Sequence, residues 1–197
     1  VRRNIKYKKK GIRFNYIAPI LISPHNSNVL YHGANVLLRS EFQGAGWKEI
    51  SPDLSNDEVC EDNGKVWGTI TTIDESPIKK GTIWVGTDDG NIHLTTDEGK
   101  TWKKVSDNLP EDIKDMHVSR VVASHHDPKK AYISIIGARS NFDASGHAYY
   151  CSSKLKSELN LKPYCYKTTD SGETWTSIAD GIPSNEIVNV IEVDHKN

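Results

Sequence analysis

Two stretches of this chain nearly repeat each other: "TTDEGKTWKKV", Thr95–Val105, and "TTDSGETWTSI", Thr168–Ile178. A recurring unit constrains a fold more than any other sequence feature, because each copy must adopt the same local structure. Walking backwards from each octapeptide gives further matches. "TITTIDESPIKKGTIWVGTDDGNIHL" precedes the first, and "SRVVASHHDPKKAYISIIGARS" followed by "PYCYK" precedes the second. An upstream copy reads "PILISPHNSNVLYHGANVLLRSEFQGAGWKEI", and "VNVIEVDHKN" begins another at the end. The first strands start near Pro19, Thr69, Ser119 and Val188, spacings of 50, 50 and 69 residues. The excess in the last spacing is an insertion around residues 140–162.

Each copy reads as four short strands rich in Ile, Val, Thr, Trp and Tyr, broken by Gly, Pro, Asp and Asn. In the second copy they cover Thr69–Ile73, Thr82–Gly86, Ile92–Thr96 and Trp102–Val105. Helical periodicity is nearly absent. The expected fold class is all-β: four-stranded antiparallel blades of a β-propeller, three of them plus one strand. The chain reads as one domain over 1–197, with blades at about 14–50, 66–105 and 118–178 and the start of another at 187–197. Three blades do not close a disc, and an open blade edge invites pairing. The expected partners are therefore the remainder of the same propeller or another copy of the chain. Val1 is not a Met, which suggests a fragment or a processed form.

The repeated octapeptide is Thr-x-Asp-x-Gly-x-Thr-Trp, placed between the third and fourth strands. Asp97 and Asp170 are expected to accept hydrogen bonds from the turn's own backbone. Gly99 and Gly172 supply positive φ. Thr95 and Thr168 open the motif, Thr101 and Thr174 enter the next strand, and Trp102 and Trp175 bury apolar surface. In the upstream copy, "SEFQGAGW", Ser40, Gly44 and Trp47 remain, but Phe42 replaces the Asp and Gly46 the Thr. A catalytic carboxylate would not need to recur in every blade and then vanish from one, so the motif is read as structural.

These octapeptides resemble Asp-boxes, also called BNR repeats, found in sialidases, sortilin-type receptors and xyloglucan-active propeller hydrolases. With "SPHNSNVLYHGANVLLRS", "TIWVGTDDGNIHLTTDEGKTW", "VSRVVASHHD" and "KPYCYKTTDSGETWTSI", the sequence is similar over about residues 14–194 to secreted BNR-repeat or sortilin N-terminal-like proteins. The resemblance implies a secreted, extracellular binding or scaffold module without catalysis, recognising a protein segment or a glycan. The alternative is a fragment of a sialidase- or xyloglucanase-like glycoside hydrolase whose catalytic residues lie partly outside this chain. A sialidase needs three converging arginines, as that family implies. Arg2, Arg3, Arg13, Arg39, Arg120 and Arg139 show no such arrangement, and no catalytic residue is carried over.

Blade geometry places the first and third turns on one face of a disc and the second turns and inter-blade links on the other. His25, His125, His126 and Asp127 fall on the first-turn face, where turn capping competes with metal binding. The opposite face collects long acidic loops, and loops on a rigid scaffold are where recognition sits. The candidate ligand-binding residues there are Asp53, Asp88, Asp89, Arg139 and Asp143. Their carboxylates suit a basic or hydroxyl-rich ligand, or Ca²⁺ as the one cofactor that chemistry allows; otherwise no cofactor or metal is expected. Cys151 and Cys165 bracket a polar excursion and are candidates for a disulfide, leaving Cys60 over. With net charge −1, 36% hydrophobic residues and no apolar run near 20 residues, neither nucleic-acid binding nor a membrane span is expected.

Overall fold

The computed structural model describes residues 11–15, 17–56, 68–137, 140–142, 148–150 and 162–196. Within them lie three four-stranded antiparallel sheets in strict sequence order. Blade 1 holds β1 (Ile20–Ile22), β2 (Leu30–Gly33), β3 (Leu37–Ser40) and β4 (Lys48–Glu49). Blade 2 holds β5 (Ile70–Glu75), β6 (Ile83–Thr87), β7 (Ile92–Thr95) and β8 (Lys103–Lys104). Blade 3 holds β9 (His117–Ala123), β10 (Ala131–Ile136), β13 (Tyr164–Thr168) and β14 (Thr176–Ser177). A two-stranded hairpin, β11 (Ser140–Phe142) with β12 (Ala148–Tyr150), stands in the insertion between β10 and β13. The all-β propeller architecture inferred from the repeats is therefore the observed one. Residues 187–196 contain no assigned strand. They lie against blade 3, with Arg120 paired to Glu192 and Ser134 Oγ donating to the Asn189 carbonyl.

Most buried apolar side chains lie between sheets, and a smaller cluster of Ala34, Val36 and Leu38 packs with Ile12, Phe14 and Trp47. Val29, Tyr31, Leu37, Ile70, Ile83 and Val85 fill the seam between blades 1 and 2. Trp84, Ile92, Leu94, Val121, Ile133 and Ile135 fill the next seam, where Trp84 meets Trp175 edge-on at 6.3 Å between ring centroids. A sheet buries a face only against another layer, so each blade depends on its neighbour for its core. Blades 2 and 3 approach so closely that Gly86 on β6 has no room for a Cβ: it would sit 2.4 Å from Val118 Cγ1 on β9.

The third turns close on themselves as expected from the motif. Asp97 Oδ1 accepts from the Thr101 N–H at 2.9 Å and from the Thr95 hydroxyl at 2.7 Å, while Oδ2 accepts from the Thr101 hydroxyl at 2.6 Å. Asp170 repeats these three bonds with Thr174 and Thr168 at 2.9, 2.7 and 2.6 Å. Donation by the strand-entry threonine, first its hydroxyl and then its N–H, holds both carboxyls near 2. Each turn also docks on the first turn of its own blade. Gln43, Glu98 and Ser171 donate their N–H groups to the carbonyls of Asn28, Gly81 and Lys129. All three residues have positive φ, 53°, 63° and 63°.

The tryptophans reach further. Trp102 Nε1 donates to the Ile50 carbonyl at 2.9 Å, and Trp175 Nε1 to the Val105 carbonyl at 3.2 Å. Ile50 and Val105 follow the last strand of the preceding blade, so each octapeptide latches its own blade onto the one before. In the altered first copy, the Trp47 indole N–H finds no acceptor, and its ring packs beside His32 and the segment carrying Phe14. Replacing Trp102 by Phe keeps most of the packing and removes one inter-blade hydrogen bond. A stability loss of about 1 kcal/mol in denaturant unfolding is the expected result.

Candidate functional site

Of the five candidate ligand-binding residues, three are described, and all three serve the chain itself. Asp88 is fully buried and accepts from the Thr69 N–H and hydroxyl, both at 2.8 Å, tying the second turn of blade 2 to the start of β5. Asp89 accepts from the Thr87 hydroxyl at 2.5 Å and the Asn56 N–H at 2.7 Å. Burial pushes its carboxyl up to about 6 against those two hydrogen bonds. Asp53 meets Arg13 at 3.1 Å, Asn35 Nδ2 at 2.5 Å and the Ser55 hydroxyl at 2.6 Å. Burial opposes its ionisation, yet the Ser55, Asn35 and Arg13 contacts hold it below the ordinary carboxylate range. These acidic turns thus brace the chain's own segments. Arg139 and Asp143 lie outside the described residues, as do Cys60 and Cys151. Cys165 is a buried free thiol on β13, so no bridge to it is formed among the described residues.

Among the described residues no three His, Cys, Asp or Glu side chains converge where an ion could sit, and no helix is long and apolar enough to cross a membrane. The first-turn capping falls to Ser124 and Asp127. Ser124 Oγ accepts from the His126 and Asp127 N–H groups, and Asp127 Oδ1 from the Lys129 N–H. His25 Nε2 sits 2.8 Å from the Ser76 carbonyl and joins blade 1 to blade 2.

A polar recess lies instead along the first strands of all three blades. It has a volume of about 460 Å³ and is bounded by Pro19–Leu21, Thr71–Asp74, Arg120–Val122, His125 and Glu192. Asp74 comes from β5, where the alternation of a strand turns Thr72 and Asp74 to one side. Both accept from the edge of β9: the Val121 N–H reaches Thr72 Oγ1 at 3.1 Å, and the Ala123 N–H reaches Asp74 Oδ2 at 2.7 Å. Burial raises the Asp74 carboxyl to about 6, with the Ala123 N–H and the Arg120 charge pulling the other way. Arg120 in turn pairs with Glu192 at 2.5 Å. The recess therefore sets a carboxyl that burial makes easier to protonate beside an ion pair. Such a set can donate and accept hydrogen bonds to a hydroxyl-rich or peptide ligand. The sequence signal for it was "TTIDES" at a first strand, a carboxylate two residues after a threonine in an otherwise apolar run.

No family model matches this sequence, and no curated protein matches it. Among solved structures, the chain is similar to an ancestral GH74 enzyme, with 13% identity and a TM-score of 0.57 over 85% of this chain and 18% of that one. It is similar to the GH74 xyloglucanase from Xanthomonas campestris, with 16% identity and a TM-score of 0.53 over 84% of this chain and 23% of that one. It is also similar to the GH74 enzyme of Niastella koreensis, with 18% identity and a TM-score of 0.52 over 89% of this chain and 23% of that one. The chain spans about a fifth of the length of these enzymes, and identities this low speak for fold and not for activity. Three consecutive sheets, the second and third each latched to the one before, and superposable on known propellers, make this chain a run of β-propeller blades.

Proposed function

We propose that this chain is part of an Asp-box propeller of the sortilin-like type, an extracellular, non-catalytic module that binds a protein segment or a glycan. The recess along the first strands is its binding site. One observation carries this reading. Asp53, Asp88, Asp89, Asp97 and Asp170 are engaged by the chain's own donors, whereas the recess gathers charged groups of both signs from blades 2 and 3 and the 187–196 stretch around open space. Location outside the cell belongs to the same proposal and rests on the Asp-box resemblance. Binding of Ca²⁺ finds no support in Asp88 or Asp89, whose oxygens accept from protein donors.

A second reading, a piece of a glycoside hydrolase, is favoured by a specific feature. Asp74 and Glu192 share the recess, and Asp74 is held up near 6, as a general acid requires. The relatives of similar fold include a xyloglucanase. Against it stands Arg120, which keeps Glu192 in an ion pair. A glycan array together with a hydrolysis screen that includes xyloglucan oligosaccharides separates the two. The binding reading expects retention of a glycan or peptide, lost by at least tenfold in Arg120→Ala, with no release of reducing ends. Sugar release abolished by both Asp74→Asn and Glu192→Gln would replace it with the hydrolase reading. Binding unaffected by all three changes would remove the recess as the site.

A further inference from the structure

The first turn of blade 3 carries two histidines whose rings the turn does not use, since Ser124 and Asp127 do the capping. The His125 ring faces His195, 70 residues further along the chain. The two Nδ1 atoms are 3.2 Å apart, and the rings stand at 89° with centroids 4.2 Å apart. Two imidazole nitrogens bound tetrahedrally at zinc distances lie about 3.3 Å from each other. His195 is exposed and His125 half-buried, so water can complete a coordination shell. Glu192, which borders the same recess as His125, adds a negative charge nearby.

We propose that His125 and His195 form a two-imidazole site for a divalent transition-metal ion, zinc foremost, which pins residues 187–196 to the first turn of blade 3. Imidazole pairs suit zinc, copper and nickel and discriminate against calcium and magnesium. The ion would tie down a stretch that has no strand ladder of its own. That stretch carries Glu192, so metal binding would fix one wall of the recess and the partner of Arg120. The inference stands on the histidine geometry and does not depend on what the recess binds.

The test is a Zn²⁺ titration of the untagged 197-residue chain by calorimetry after chelator treatment, with Co²⁺ absorption as a second probe and hydrogen exchange across 187–196 as a third. The expected result is one ion per chain, affinity reduced at least tenfold by His125→Ala and by His195→Ala and changed less than twofold by His25→Ala, whose ring lies on the first turn of blade 1, and slower exchange over 187–196 with Zn²⁺. Unfolding curves without metal establish that each variant folds. The proposal is overturned by absence of binding at millimolar Zn²⁺, by binding indifferent to both His125→Ala and His195→Ala, or by binding that leaves exchange over 187–196 unchanged.

Discussion

Gly99→Ala should destabilise the chain by about 2–4 kcal/mol, and Gly172→Ala by a similar amount. Two costs combine. Both glycines have positive φ, 89° and 81°, which a side chain disfavours by roughly 1 kcal/mol. The added Cβ would also stand 2.5 Å from the Ile50 carbonyl oxygen at Gly99, and 2.6 Å from Val105 Cβ at Gly172. Ile50 is the acceptor of the Trp102 latch and Val105 that of Trp175, so relief of the clash pushes consecutive blades apart. Denaturant unfolding checks this, with Lys100→Ala as a surface comparison expected to stay within about 0.5 kcal/mol. Equal behaviour of Gly99→Ala and Lys100→Ala would mean that the octapeptide does not approach the preceding blade.

The second large effect concerns pH. Asp74 is raised in the folded state to about 6, against about 3.9 in the unfolded chain. The folded state therefore holds the Asp74 proton more tightly. The associated stability is fully present below about pH 4 and is lost as pH rises through 6. Asp74→Asn keeps an oxygen for the Ala123 N–H and removes the titration. Relative to the parent chain it should gain about 2 kcal/mol on going from pH 4 to pH 7.5, after allowance for the partial exposure of the site. Thermal unfolding of both chains at the two pH values measures the difference. A gap between them that does not change with pH would mean that Asp74 ionises normally and that the recess is wetter than described. The box aspartates act in the opposite sense. Held near 2, Asp97 and Asp170 support the fold above about pH 4, and that support is lost as pH falls through 2.

The blades were legible in the sequence because three kinds of signal agreed. Strand composition, turn residues and the spacing of the Trp-ended octapeptides all repeat together. The closure of Asp97 and Asp170 on their own turns was readable for the same reason: side-chain oxygens, positive-φ glycines and threonine donors stand at fixed offsets. The destination of the tryptophans was not. That the Trp102 and Trp175 N–H groups reach the preceding blade depends on how sheets stack, which no local pattern encodes. The site was less legible still. Asp53, Asp88 and Asp89 stand in turns of acidic, exposed-looking sequence, but the turns fold under neighbouring segments and the carboxylates become braces. Asp74 and Arg120 were hidden in strands, where acidic and basic residues pass for a solvated edge. They meet only because first strands from separate blades converge.

The blade array depends above all on Trp102 and Trp175 fastening blades 2 and 3 to their predecessors. Hydrogen exchange of the indole N–H groups, followed by NMR with Trp102→Phe and Trp175→Phe for assignment, tests this most directly. The Trp102 and Trp175 indole protons are expected to be protected, and to lose protection in Gly99→Ala and Gly172→Ala respectively. Exchange of both protons at the rate of free indole in the folded chain would contradict it.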